Sequence, residues 1–184
     1  MMMDNFKKRD WKNLEQTTFF CKFATKLFGG LEERDYLCGL KKKMYMTINE
    51  IQDEIIEEFS GFDDWMDKYQ LLIDLGNEQE PLGDKYKTEQ NLIDGCQSRV
   101  WLVADLDDQV IRFRAESDAL IVKGIVSLLI RVLSGHTPQE ILDADLYFIE
   151  EIGLKEHLSP TRSNGLVAMV KQMRLYALAF SKKQ

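Results

Sequence analysis

The sequence predicts an α+β fold, with helices towards both ends of the chain and a small antiparallel hairpin between them. Three observations predict it. Thr47–Glu50 and Thr137–Glu140 each read as a Thr-x-x-Glu helix start. A short β-branched and aromatic run turns back on itself between positions 100 and 114, and apolar residues recur at helical spacing near the end of the chain.

Each element follows from local chemistry. In Thr47-Ile48-Asn49-Glu50 the hydroxyl can take an orphan amide while the carboxylate reaches back. Ile48, Ile51, Ile55, Ile56 and Phe59 then share one helical face, and Gly61 ends it. A second helix is expected from Asp63 to Leu75, with Trp65, Met66, Tyr69, Leu72 and Ile73 inward and Gly76 as its stop. Residues 77–90 are polar, contain Pro81 and Gly83, and read as loop. Val100–Ala104 pairs with Val110, Ile111 and Phe113 across a turn at Asp107-Asp108, while Arg112 and Arg114 point to the wet face. Ser117 or Asp118 caps an apolar helix from Ala119 to Leu133, closed by Gly135. Thr137-Pro138-Gln139-Glu140 opens the next, with proline at the first helical position. Short pieces over Ile141–Ala144 and Leu146–Ile152 follow. After Ser159-Pro160, a last helix from about Ser163 to Ala179 turns Leu166, Met169, Val170, Met173 and Ala177 inward.

The chain has 184 residues, 45% hydrophobic and 30% charged, about the length of one domain. Its net charge of −7 is unevenly spread. Residues 1–45 carry 10 basic and 6 acidic side chains, a surplus of 4; the rest carry 14 and 25, a deficit of 11. An acidic body repels phosphate backbones, so nucleic acid is not an expected partner. Residues 1–45 read as a basic extension, either sequence upstream of a start at Met44 or Met46 or a poorly ordered appendage, with the domain proper over 46–184. Phe19–Phe28 is its apolar run, but Lys22 and Lys26 break it and no A-x-A site follows, a poor secretory signal. Trp11, Leu14, Phe19, Phe20 and Phe23 suit an amphipathic helix if the segment is present. No stretch approaches the ~20 apolar residues of a membrane span, because Lys123 and Arg131 break the longest candidate. The three cysteines, at 21, 38 and 96, build no disulfide framework, so a cytoplasmic, reducing compartment is expected. Periodicity neither requires nor excludes a homodimer.

The chemistry narrows to one residue. No zinc spacing joins the cysteines with His136 or His157, and no phosphate loop, dinucleotide fingerprint or hydrolase elbow occurs. No metal is expected. Cys96, in Asp94-Gly95-Cys96-Gln97-Ser98-Arg99, is the one cysteine of the body. A lone cysteine is commonly a small buried hydrophobe. Polar neighbours, a glycine beside it and a position on a loop favour a reactive thiol, whose pKa a nearby Arg99 lowers. Residue chemistry alone leaves both readings open.

The ordered motifs then become recognisable. Gly95-Cys96-Gln97-Ser98-Arg99-Val100-Trp101, Ser117-Asp118-Ala119 through Ile121-Val122-Lys123-Gly124, Thr137–Ile141 and His157–Leu166 resemble the SufE family, CsdE relatives included, over roughly Ile48 to Ala179. The resemblance implies an IscU-like fold and a protein that is not an enzyme. It implies a sulfur acceptor and activator of a SufS-type cysteine desulfurase, carrying sulfur as a persulfide on Cys96 and passing it to an iron–sulfur scaffold. It implies no cofactor of its own, pyridoxal phosphate belonging to the desulfurase.

On that resemblance, Gly95 lets the loop bend, and Gln97 and Ser98 hold it closed or stabilise a persulfide anion. Trp101 is core or a shield for the thiol. Asp118 and Arg162 are docking candidates, Arg162 having a helix-cap or salt-bridge role as its rival. His157 is structural. An iron–sulfur scaffold of the IscU type needs several thiolates, which the body does not supply. A thiol-dependent peroxidase or hydrolase needs a base or resolving cysteine, which the sequence does not place beside Cys96.

Overall fold

The computed structural model describes residues 46–182. The extension expected over 1–45, with Cys21 and Cys38, lies outside them. Helices α1 (Ile48–Ser60) and α2 (Trp65–Glu78) come first, then two single turns of 3-10 helix at Asp84–Tyr86 and Glu89–Asn91. Strands β1 (Val100–Asp107) and β2 (Val110–Ser117) form the sheet of the described residues. Helices α3 (Leu120–Leu133), α4 (Pro138–Asp143), α5 (Phe148–Glu151), α6 (Leu154–His157) and α7 (Pro160–Ser181) complete the chain.

The α+β class is as predicted. Both cap boxes form: the Thr47 amide donates to Glu50 Oε2 at 2.8 Å, and the Thr137 amide donates to Glu140 Oε2 at the same distance. The strands pair antiparallel from Val100 opposite Ser117 to Asp107 opposite Val110. The turn is carried by Asp108 (φ 45°) and Gln109 (φ 75°), both left-handed as a two-residue hairpin requires. Val100, Leu102, Ile111, Phe113 and Ala115 are buried on one face, against α3 residues such as Ile125, Leu129 and Val132 in the same core. Burying each of the valine, leucine, isoleucine and phenylalanine side chains contributes on the order of 1.5–3 kcal/mol.

Four expectations are corrected. Helix α2 does not stop at Gly76 but runs through it. A Cβ on Gly124 would stand 2.0 Å from the Leu72 carbonyl oxygen, and one on Gly76 would stand 2.9 Å from the Gly124 nitrogen. Glycine here lets α2 and α3 touch backbone to backbone. Met66, expected inward, is 68% exposed. Helix α3 is not capped by Ser117 or Asp118 at its own N-cap position, which is Ala119; the Ser117 hydroxyl accepts from the Ala119 amide at 3.2 Å, and Asp118 turns elsewhere. Helix α7 starts three residues earlier than expected, at Pro160, because proline's missing N–H costs nothing in a first turn.

One buried polar residue was not foreseen. Gln52 is fully buried; its amide donates to the Asp145 carbonyl at 2.9 Å and its oxygen accepts from the Phe148 amide at 3.3 Å. It ties α1 to the start of α5.

Candidate functional site

The loop that carries Cys96 runs from Asp94 to Arg99 and is pinched at its base. The Ile93 amide donates to the Val100 carbonyl at 2.8 Å, and Leu92 bridges to Trp101. Its exit is clamped twice: the Arg99 amide donates to Asp118 Oδ1 at 3.0 Å, and the Asp118 amide donates to the Arg99 carbonyl at 3.3 Å. Asp118 therefore fastens the loop to the junction between β2 and α3. Gly95 adopts φ 89°, a left-handed conformation that favours glycine, while the nearest obstacle to a side chain is Ala168 Cβ at an ordinary 3.8 Å. Conformation, not room, requires glycine there.

Cys96 is a free thiol, half-buried against the core. Its S–H donates to the Gly165 carbonyl of α7 at 3.5 Å. Burial pushes the thiol above its ordinary range. The lowering expected from Arg99 does not occur: that side chain is exposed, and what it contributes to the loop is its backbone. Gln97 is exposed and Ser98 half-buried, and neither side chain is hydrogen-bonded to a described residue. The loop is closed by backbone and by Asp118, not by these two side chains.

Trp101 is half-exposed between the buried Val100 and Leu102, so alternation puts it on the outer face of the hairpin rather than in the core. Arg162 is exposed in the first turn of α7, three residues before Gly165, and makes no ion pair with a described residue. Its rival salt-bridge role is therefore not seen. His157 stacks on Trp65 with centroids 3.9 Å apart, its Nδ1 lies 3.1 Å from the Gly153 carbonyl oxygen, and its own carbonyl accepts from the Tyr69 hydroxyl at 2.6 Å. An open cleft of about 850 Å³ lies on another flank of α7, lined by residues such as Leu146, Ile149, Val170 and Leu178, and Cys96 does not line it.

Sequence reasoning gave no role to Gly165, although it lay within a recognised motif. The signal available was an isolated glycine inside a helical pattern, which costs helix stability and calls for a packing reason.

Fold and site together define an α+β domain that presents one loop thiol, backed by a helix and held by a carboxylate clamp. The chain belongs to the SufE family: residues 53–177 match the model described as SufE, Fe-S metabolism associated domain. It is 39% identical over 127 residues to an uncharacterised SufE-like protein of Rhizobium meliloti, covering 66% of this chain and 91% of that relative. A SufE-like protein of Rhizobium etli is 41% identical, covering 66% and 86%. One of Synechocystis is 39% identical, covering 69% and 80%. The fold is also similar to the solution structure of a hypothetical protein from Thermus thermophilus, with a TM-score of 0.59 and 22% identity over 70% of this chain and 94% of that one. Family membership places the chain in iron–sulfur metabolism. Among the described residues no helix is long and apolar enough to cross a membrane.

Proposed function

We propose that this protein accepts sulfur from a SufS-type cysteine desulfurase as a persulfide on Cys96, stimulates that enzyme by doing so, and hands the sulfur to an iron–sulfur scaffold. The observation that carries the reading is the free thiol of Cys96, on a clamped loop in a chain of the SufE family.

The chemistry is thiol exchange. The Cys96 thiolate attacks the terminal sulfur of the desulfurase persulfide. A new S–S bond forms on Cys96, the old one breaks, and its electron pair leaves on the desulfurase cysteine, which takes up a proton. No outside oxidant or reductant is needed. Pyridoxal phosphate works in the desulfurase, upstream of this step. Burial holds the Cys96 thiol above its ordinary range, and because the thiolate and not the thiol is the nucleophile, the step is favoured once Cys96 leaves its half-buried position. Gly95 supplies the bend for that motion, and exposed Gln97 and half-buried Ser98, the next two residues of the loop, act as donors to a persulfide anion. Arg162, three residues before Gly165 on α7, and Asp118, at the loop's clamp, dock the desulfurase, Asp118 through the carboxylate oxygen that does not hold the Arg99 amide.

Incubation with the desulfurase and free cysteine should add one sulfur atom to the Cys96 peptide, read by mass spectrometry. Cys96→Ser should take none and should no longer stimulate the desulfurase. Stimulation equal to wild type by Cys96→Ser would mean that binding alone activates the enzyme, and the acceptor mechanism would fall.

A further inference from the structure

Gly165 lies inside α7, five residues beyond Pro160, with no left-handed backbone to call for glycine. Mid-helix glycine weakens a helix relative to alanine, so its place needs another cause. Its two chain neighbours and the backbone of its own helix aside, the three atoms nearest to a Cβ built there all belong to Cys96: Sγ at 3.2 Å, Cβ at 3.9 Å and Cα at 4.0 Å. The carbonyl of the same residue accepts the Cys96 S–H. Gly165 is buried and its neighbour Leu166 is anchored in the core, as is Met169 one turn on.

We propose that Gly165 is the positioning residue for the Cys96 sulfur: its missing side chain is the seat in which the sulfur rests, and its carbonyl holds the S–H there until the loop moves. This rests on the reading of Cys96 as the working thiol. A methyl group at 165 closes the seat, because 3.2 Å is tighter than an ordinary van der Waals contact between carbon and sulfur. One side must give. Helix α7 is held by its own ladder and by Leu166 and Met169, whereas Cys96 sits in a loop beside a glycine, so the loop yields and the sulfur swings towards solvent. There it loses the burial that raises its pKa. The seat thus keeps the thiol sheltered at rest.

The test is alkylation of Cys96 by iodoacetamide in the full chain, across pH, read on the Cys96 peptide so that Cys21 and Cys38 do not contribute. Gly165→Ala should react at least about threefold faster at neutral pH, with the midpoint of its pH profile moved down; each unit of pKa is worth about tenfold in thiolate below the midpoint. A purely structural glycine would not move that midpoint. A folded Gly165→Ala protein with unchanged rate and midpoint overturns the proposal. Should Gly165→Ala fail to fold, the double variant Cys96→Ala/Gly165→Ala decides. It should melt at or above Cys96→Ala alone, because the sulfur's room is then free and alanine is the better helix former. A double variant melting well below Cys96→Ala overturns the proposal, since the clash would lie elsewhere. Neither readout uses a desulfurase, so the seat and the sulfur-acceptor reading stand or fall separately.

Discussion

Helices α4 and α7 begin on the same chemistry, a hydroxyl residue followed by proline, and are finished in opposite ways. In α4, Thr137-Pro138-Gln139-Glu140 closes on itself: the Glu140 carboxylate accepts from the Thr137 amide and hydroxyl, and the Thr137 hydroxyl accepts from the Glu140 amide at 3.3 Å. In α7, Ser159-Pro160-Thr161-Arg162 has a cation where α4 has Glu140. The Ser159 hydroxyl pairs with the Thr161 hydroxyl at 3.2 Å rather than with a backbone amide. A cation near a helix N-terminus opposes the macrodipole by about 0.3–1 kcal/mol. The helix start that serves only the fold is sealed. The one that stands a turn from Gly165 is left open and carries the positive charge of Arg162.

Arg162→Glu breaks the comparison most severely, because it writes the α4 solution into α7. The variant should become more stable by about 0.5–1 kcal/mol, seen in thermal or denaturant unfolding. It should bind the desulfurase at least about tenfold more weakly, a loss of about 1.4 kcal/mol, seen by titration of desulfurase stimulation. Equal binding would remove Arg162 from the docking surface.

Thr137→Ala tests the sealed end and should cost about 1 kcal/mol of stability without changing desulfurase binding. The smallest effect is in acid. Hydrogen bonds from Thr137 hold the Glu140 carboxyl below its ordinary range, against a smaller opposing effect of burial. The native state therefore binds fewer protons than the unfolded chain between the two values. The contribution is present above about pH 4.3 and disappears as pH falls through the folded value. The stability gap between wild type and Glu140→Gln should accordingly narrow on acidification and stay flat near neutrality, measured by denaturant unfolding at a series of pH values.

Much of the fold was legible because its signals are short. Thr47 and Glu50, or Thr137 and Glu140, lie three apart and meet in any helix that starts there. Alternation over Val110–Phe113 identifies a half-buried strand whatever lies beneath it. Gly76 shows where such reading fails: glycine punctuates a helix locally, yet here it continues one, because Gly124 of α3 lies against it. Asp118 shows the same for the site. By its position it is a natural cap for α3, but the Arg99 amide, brought close by strand pairing, claims its carboxylate instead.

By itself the sequence determined the α+β class, both sealed helix starts, the hairpin and the single thiol of the body, since each depends on residues a few positions apart. Only the tertiary structure decided that Gln52 joins α1 to α5, that Trp101 faces outward, and that Cys96 rests half-buried against Gly165 with its thiol raised rather than lowered. Cys96 and Gly165 are 69 residues apart. No local pattern encodes the gap between a loop and a helix that far along the chain; packing of the whole core sets it.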